Sequence, residues 1–263
     1  MPRLPTLFIS HGAPTFALEP GLAGQRLREL GRALTRPQAV LIVSPHWMTR
    51  EPRVGGAMAP TTVHDCGGFA PALYDIRYPA PGDAALAQRV VAQLRQAGWD
   101  AAVEPDQGLD HGAWVPMLHM FPNADVPVVQ VSMPQVLDAD SAWRLGEALA
   151  PLADEGVLVV GSGSLTHNLG EVFGAGAPDA DYVHAFSSWV RGVVESGDLT
   201  RLRRVMVEAP HAQRAHPTTE HLWPLLIAAG AARAPKTTTF IDGGVAHGVL
   251  AMDAVLFGAV GPG

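Results

Sequence analysis

The chain has 263 residues, enough for a sizeable core, and its 48% apolar and 16% charged content excludes a disordered chain. A formal net charge of −7, very little lysine and the absence of any Lys/Arg run argue against nucleic acid or an anionic membrane surface as the main partner. One cysteine, Cys66, excludes an internal disulfide framework and a cysteine-built zinc site.

The elements follow in chain order. TLFIS (6–10) is a short apolar run that ends on His11, Gly12 and Pro14. It is too short for a secretory signal, and no run reaches the roughly 18 apolar residues of a membrane span, so a cytoplasmic protein is expected. LAGQRLRELGRAL (22–34) spaces its leucines for one helix face. AVLIVS (39–44) is a second strand, broken at Pro45, which delivers His46 and Trp47. Residues 82–98 predict a helix that stops at Gly98. DHGAWVPML (110–118) places His111 in a loop before a short helix. VPVVQVSM (126–133) and GVLVVGS (156–162) are two more strands, with a helix over 138–156 between them. Residues 181–207 predict two helices broken at Gly197–Asp198. TTEHLWPLLIAAG (218–230) predicts a helix with a threonine cap and Gly230 as its stop, with Pro224 early in it or kinking it. Residues 237–243 and 247–258 read as closing antiparallel strands.

The four main strands are continuous rather than alternating in apolar character, the pattern of strands buried on both faces. With helices between them, the expected fold is α/β, a mostly parallel central sheet with helices on both faces and some antiparallel strands near the C-terminus. No linker, repeat or charge block divides the sequence, so one domain over 1–263 is expected.

Ligands of such sheets bind outside the carboxyl ends of the strands. His11 and His46 follow two strands and His167, in GSGSLTH, follows a third, so one edge of the sheet should receive three imidazoles. Imidazole is the commonest metal ligand and the usual proton shuttle near neutral pH. His11 and His46 are the first ligand candidates, and His221, in AHPTTEHLWPLL, is the best third. Its neighbour Glu220 would complete two histidines and a carboxylate, a set typical of Fe(II). Adjacent helical residues point about 100° apart, however, so only one of the pair should reach an ion. Three histidines suit catalytic zinc and do not exclude Fe(II). His64, in VHDCGGF, precedes two glycines that let backbone approach a ligand.

The remaining histidines have plainer readings. His119 fits a packed helix face and His184 a solvated one. His211 and His216 fall in loops, and His247 lies near glycines with no evident role. GSGS lacks both the phosphate-loop spacing and the frame of a hydrolase nucleophile elbow.

FISHGAP, SPHW, HDCGGF with PALYDIRYPAPG, DHGAWVPM, LTHNL and HPTTEHLWPLL stand here in order, between about residues 6 and 250. In this the chain resembles the class III extradiol ring-cleaving dioxygenases, and within them the branch of the 4,5-DOPA extradiol enzymes. The resemblance implies that His11, His46 and His221 hold the metal. It implies that His167 is the acid/base and that His111 contacts substrate or oxygen, with His64 and Asp65 on a loop beside the substrate. Two positions depart from the pattern, Cys66 for the usual phenylalanine and Ala70 for the usual proline after GGF. The implied reaction opens a catechol-type ring with O₂, using Fe(II), to a semialdehyde acid. Its partners are then a small catechol and O₂, with no nucleic acid and no membrane. The sequence leaves the oligomeric state open, a homo-oligomer included. Zn(II) lies above Fe(II) in intrinsic affinity for such sites and can occupy them in purified protein. A zinc-dependent hydrolase or non-oxidative metalloprotein on the same fold is therefore the alternative, followed by a non-catalytic binding protein.

Overall fold

A computed structural model describes residues 2–174 and 176–261. The expected span of 1–263 thus includes Met1, Ala175, Pro262 and Gly263, which lie outside the described residues.

The first half of the chain contributes β1 (Thr6–Ser10), α1 (Gly21–Ala33), β2 (Ala39–Thr49), β3 (Arg53–Gly55), α2 (Pro71–Asp75), α3 (Ala84–Gln96), β4 (Ala102–Glu104) and α4 (His111–Met120). The second half contributes β5 (Val128–Pro134), α5 (Ala139–Leu149), α6 (Pro151–Asp154), β6 (Val157–Gly163), α7 (Asp181–Ser196), α8 (Val205–Glu208), α9 (Ala212–Ala215), α10 (Trp223–Ala231), β7 (Thr238–Ile241), β8 (Val245–Ala246), β9 (Leu250–Ala251) and β10 (Ala254–Phe257). Eight strands form one sheet in the order β4-β3-β5-β2-β6-β1-β10-β7, and β8 pairs with β9 in a small antiparallel ribbon.

The four strands read from apolar runs are the parallel centre, β5-β2-β6-β1. Both faces of these strands are buried. Phe8, Leu41, Val43 and Val159 belong to the core on one side, with residues of α3, α5, α7 and α10. Leu7, Ile9, Val40, Ile42 and Val160 belong to the core on the other, with residues of α1 and α4. Full burial of each such side chain contributes about 1.5–3 kcal/mol. This explains why the strands carry unbroken apolar runs. The antiparallel pairs β1/β10 and β10/β7 close one side, as expected of the C-terminal segment.

Several boundaries differ from expectation. β2 does not end at Pro45 but runs on to Thr49 through an irregularity between Ser44 and Met48. Proline has no N–H to give to the ladder, and a bulge is where a strand tolerates that. The helix over 138–156 is two helices, because α6 restarts at Pro151 on Ala150. The closing stretch 247–258 is likewise two short strands rather than one. α10 begins at Trp223 rather than near Thr218, with Pro224 in its first turn, where a missing N–H costs nothing. Gly230 does not stop that helix. It lies inside it, where a Cβ would collide with the Trp143 carbonyl of α5, and Gly146 of α5 faces the Ile227 carbonyl in the same way. The two glycines let α5 and α10 cross at backbone contact. β3, β4 and α2 were not legible, since three to five residues are too few to show a period.

Candidate metal centre and active site

The sheet brings His11, His46 and His221 to one place. The Nε2 atoms of His46 and His11 are 3.1 Å apart, and those of His221 and His46 are 3.3 Å apart. One nitrogen from each ring lies within 4.8 Å of the others.

Each ring arrives by a different device. His11 directly follows β1, and its N–H donates to the Gly163 carbonyl at the end of the neighbouring strand β6 (2.8 Å). Gly12 then turns the chain away at φ +61°, a left-handed conformation glycine adopts freely. His46 stands in the irregular part of β2, aimed out of the ladder. His221 lies two residues before α10, and its carbonyl accepts from Ser164 N (2.9 Å). A Cβ at Gly163 would collide with that same carbonyl, so β6 ends in glycine where the His221 backbone presses on it.

The partners of the Nδ1 atoms settle which nitrogen carries the proton. Ser162 donates its hydroxyl to the Gly112 carbonyl (2.5 Å), so its oxygen accepts from His11 Nδ1–H (3.0 Å). Glu220 Oε1 accepts from His221 Nδ1–H (3.2 Å), and Asp65 Oδ2 lies 3.5 Å from His46 Nδ1. Glu220 therefore stands behind His221 and does not compete with it for the centre. All three Nε2 lone pairs then face one another, and none can satisfy another. Burial first, and the neighbouring imidazoles after it, push His11 well below the ordinary histidine pKa. Burial likewise lowers His46 and His221, so protons do not fill the gap. A cation does. Two nitrogens bound at about 2.1 Å and separated by about 90–109° at the ion lie about 3.0–3.4 Å apart, the spacing found here. Carboxylate or hydroxyl partners on the outer nitrogens are the usual support of metal-binding histidines.

Two further histidines flank the cluster. His167 stacks on His221, with ring centroids 3.6 Å apart and planes 9° apart. Burial, and then the His221 ring, pushes His167 down to about 3, so it stands as a neutral imidazole. His111 lies 3.9 Å from the His46 ring, centroid to centroid. It is not a loop residue but the first residue of α4, whose N-cap is Asp110. The Asp110 carboxylate accepts from Ala113 N (3.2 Å), Ser44 Oγ (2.9 Å) and Gln130 Nε2, which locks the helix start onto β2 and β5. Asp65 accepts from His111 Nδ1 (2.9 Å) and His111 N (3.0 Å). Burial opposes ionisation of Asp65, but the His111 contacts outweigh it and hold the carboxyl below its usual range.

Four of these imidazoles and Asp65 open onto one cavity of about 460 Å³. His64, expected beside Asp65, does not line it. Its ring packs near Tyr74 and Trp114, with Nε2 buried and unpartnered. His247, which the sequence left without a role, does line the cavity, as does Cys66. His119 is packed in α4 and bonds to the Phe16 carbonyl (2.9 Å), and His184 is solvated beside Asp179, both as expected. His216 lies in the loop between α9 and α10, as expected, and is fully buried there against the Leu165 carbonyl (2.8 Å). The residues that sequence reasoning missed are Ser162, set aside with GSGS, and Glu220, set aside as a rival ligand. No local signal marks them, since each acts on a ring delivered by another element or by a turn.

Comparison with known proteins identifies the family. Residues 6–247 match the family model described as the catalytic LigB subunit of aromatic ring-opening dioxygenase. The chain is 38% identical to a 4,5-DOPA dioxygenase extradiol of Beta vulgaris, over 91% of this chain and 92% of that protein. It is also 38% identical to the protein of the same name from Escherichia coli strain K12, over 97% and 95%. A crystal structure of an uncharacterized protein from Escherichia coli K12 superposes with a TM-score of 0.79 at 32% identity, covering 97% of this chain and all of that one. The chain belongs to the LigB family of aromatic ring-opening dioxygenases.

Proposed function

We propose that the protein is a non-haem Fe(II)-dependent extradiol dioxygenase. It opens a catechol-type ring with O₂, beside the two hydroxyls, and both oxygen atoms enter the ring-opened semialdehyde acid. The observation that carries the reading is the convergence of three Nε2 lone pairs, from His11, His46 and His221, beside the cavity that His46 and His221 line. The names of the Beta vulgaris and Escherichia coli relatives support the substrate class.

His11, His46 and His221 would hold the ion, which supplies a template for both reactants and a path for electrons between them. His167 accepts a proton from one catechol hydroxyl and returns it later in the reaction. Its stacking on His221 keeps the ring beside the bound substrate. His111 has its Nδ1 committed to Asp65, which leaves Nε2 as its free nitrogen. That nitrogen faces the site, where it can hydrogen-bond to substrate or to oxygen. Asp65 thus acts through His111 and His46 as well as forming part of the wall.

The test is anaerobic loading with Fe(II), then addition of a catechol panel and O₂ under an oxygen electrode. Stoichiometric oxygen uptake and a yellow ring-opened product are expected with Fe(II), and neither with Zn(II). Oxygen-independent hydrolytic turnover in the zinc form would favour the zinc-enzyme alternative instead.

A further inference from the structure

The cavity beyond the imidazoles has a composition of its own. At about 460 Å³ it is of ordinary size for a small-molecule site and exceeds what a bare catechol needs. Phe69, Leu169, Val172 and Leu250 form its outer wall. Leu169 and Val172 remain 64% and 41% exposed, and Phe173 beside them 49%. Single exposed hydrophobic residues need no explanation, but three on one loop at the mouth of a concave site mark a contact surface.

The charges point the same way. Among the described residues no arginine or lysine lines the cavity. Its one carboxylate, Asp65, is committed to His111. Arg214 reaches the mouth loop but is held by Glu171 (3.0 Å) over the Tyr182 ring. Thr15 and His247 are the polar side chains of the outer wall, and neither is a permanent cation. The net charge of −7 adds a field that repels anions. A carboxylate drawn into such a space loses its hydration and gains no partner.

We propose that the site takes catechols whose ring substituent is uncharged and apolar, lying along Phe69, Leu169, Val172 and Leu250, and that it discriminates against substituents ending in a carboxylate. This rests on the ring-opening reading above. It narrows the substrate within the catechol class to alkyl- or aryl-substituted members.

The experiment compares probes matched in length on the Fe(II)-loaded protein: 4-propylcatechol, 3-(3,4-dihydroxyphenyl)propionate, dopamine and DOPA. Steady-state oxygen uptake gives kcat/KM, and anaerobic calorimetry gives binding without turnover. The expected result is at least a tenfold advantage of 4-propylcatechol over the propionate, carried mainly by KM and repeated in the binding constants. Equal or better use of the propionate or of DOPA overturns the proposal. So does a clear preference for dopamine, which would mean that an acidic group recruits a cation. If no catechol is turned over, the catalytic reading fails while the anaerobic binding order still decides this proposal. Leu169→Arg, at an exposed position, should close the gap between propylcatechol and the propionate by several-fold. An unchanged ratio in that variant removes Leu169 from the path of the substituent and overturns the proposal as stated.

Discussion

Ser162 donates its hydroxyl to the carbonyl of Gly112 at 2.5 Å, across the gap between β6 and α4. That carbonyl is available because Pro116 sits inside α4, four residues on, and has no N–H to give it. A proline that looks like a flaw in the helix therefore leaves an acceptor for Ser162, and Ser162 fixes the proton of His11 on Nδ1. Ser162→Ala should lower Fe(II) affinity by about 10–100-fold with little change in fold. Competition with a chromogenic chelator measures it. Pro116→Ala should stabilise the helix yet weaken metal binding by several-fold, because the new N–H competes for Gly112. Undiminished affinity in both variants would show that the His11 tautomer does not depend on this chain of bonds.

The stacking of His167 on His221 separates two roles. His167→Ala should keep a full complement of metal and lose about 10²–10⁴-fold in kcat, the usual worth of a general acid/base. Elemental analysis beside turnover decides it. Loss of metal from the variant would make His167 a fourth ligand.

Asp65→Asn tests the carboxylate shared by His111 and His46. The amide keeps an acceptor for His111 N but removes the charge behind the ring. We expect about 10–10³-fold lower kcat, metal content retained, and a KM altered less than kcat. A drop confined to KM would assign Asp65 to substrate contact alone.

Asp253, whose carboxylate is no part of the histidine cluster, gives a pH signature. Burial is the main cause that raises its carboxyl to about 6, against the hydrogen bond it accepts from Gly243 N (3.0 Å). A folded-state value above the unfolded 3.8 means the native state holds the proton more tightly. This contribution favours folding at low pH and is lost as pH rises from about 4 to about 6. The shift corresponds to up to about 3 kcal/mol. Asp253→Asn keeps an acceptor for Gly243, so it should flatten the denaturation free energy across that window and stabilise the protein at pH 7. A parallel pH profile for variant and wild type would refute it.

Gly146→Ala sets two effects against each other. Helix propensity favours alanine by about 1 kcal/mol, while the new Cβ meets the Ile227 backbone carbonyl of α10, which cannot turn aside. Overpacking of this kind costs about 1–3 kcal/mol, so the variant should be less stable in urea denaturation. Because α10 starts two residues after His221, the variant's metal affinity should fall too.

Read by itself, the sequence determined the parallel centre of the sheet, since unbroken apolar runs such as 39–44 and 156–162 suit only strands covered on both faces. It also determined that His11, His46 and His167 would come to one edge, because consecutive parallel strands end on the same side. His221 was nominated by its motif, but nothing local brings a residue before α10 into contact with one after β1. That meeting depends on glycines at 146, 163 and 230, which let three backbones approach without a Cβ between them. The tertiary structure alone decided that His64 turns into the packing near Trp114, while Asp65 turns to the histidines. It also decided that Ser162 and Glu220 hold outer nitrogens rather than act on substrate. The physical reason is the same throughout. A strand's burial is written in its own residues, whereas the direction of a ring's lone pair is set by partners that fold in from elsewhere in the chain.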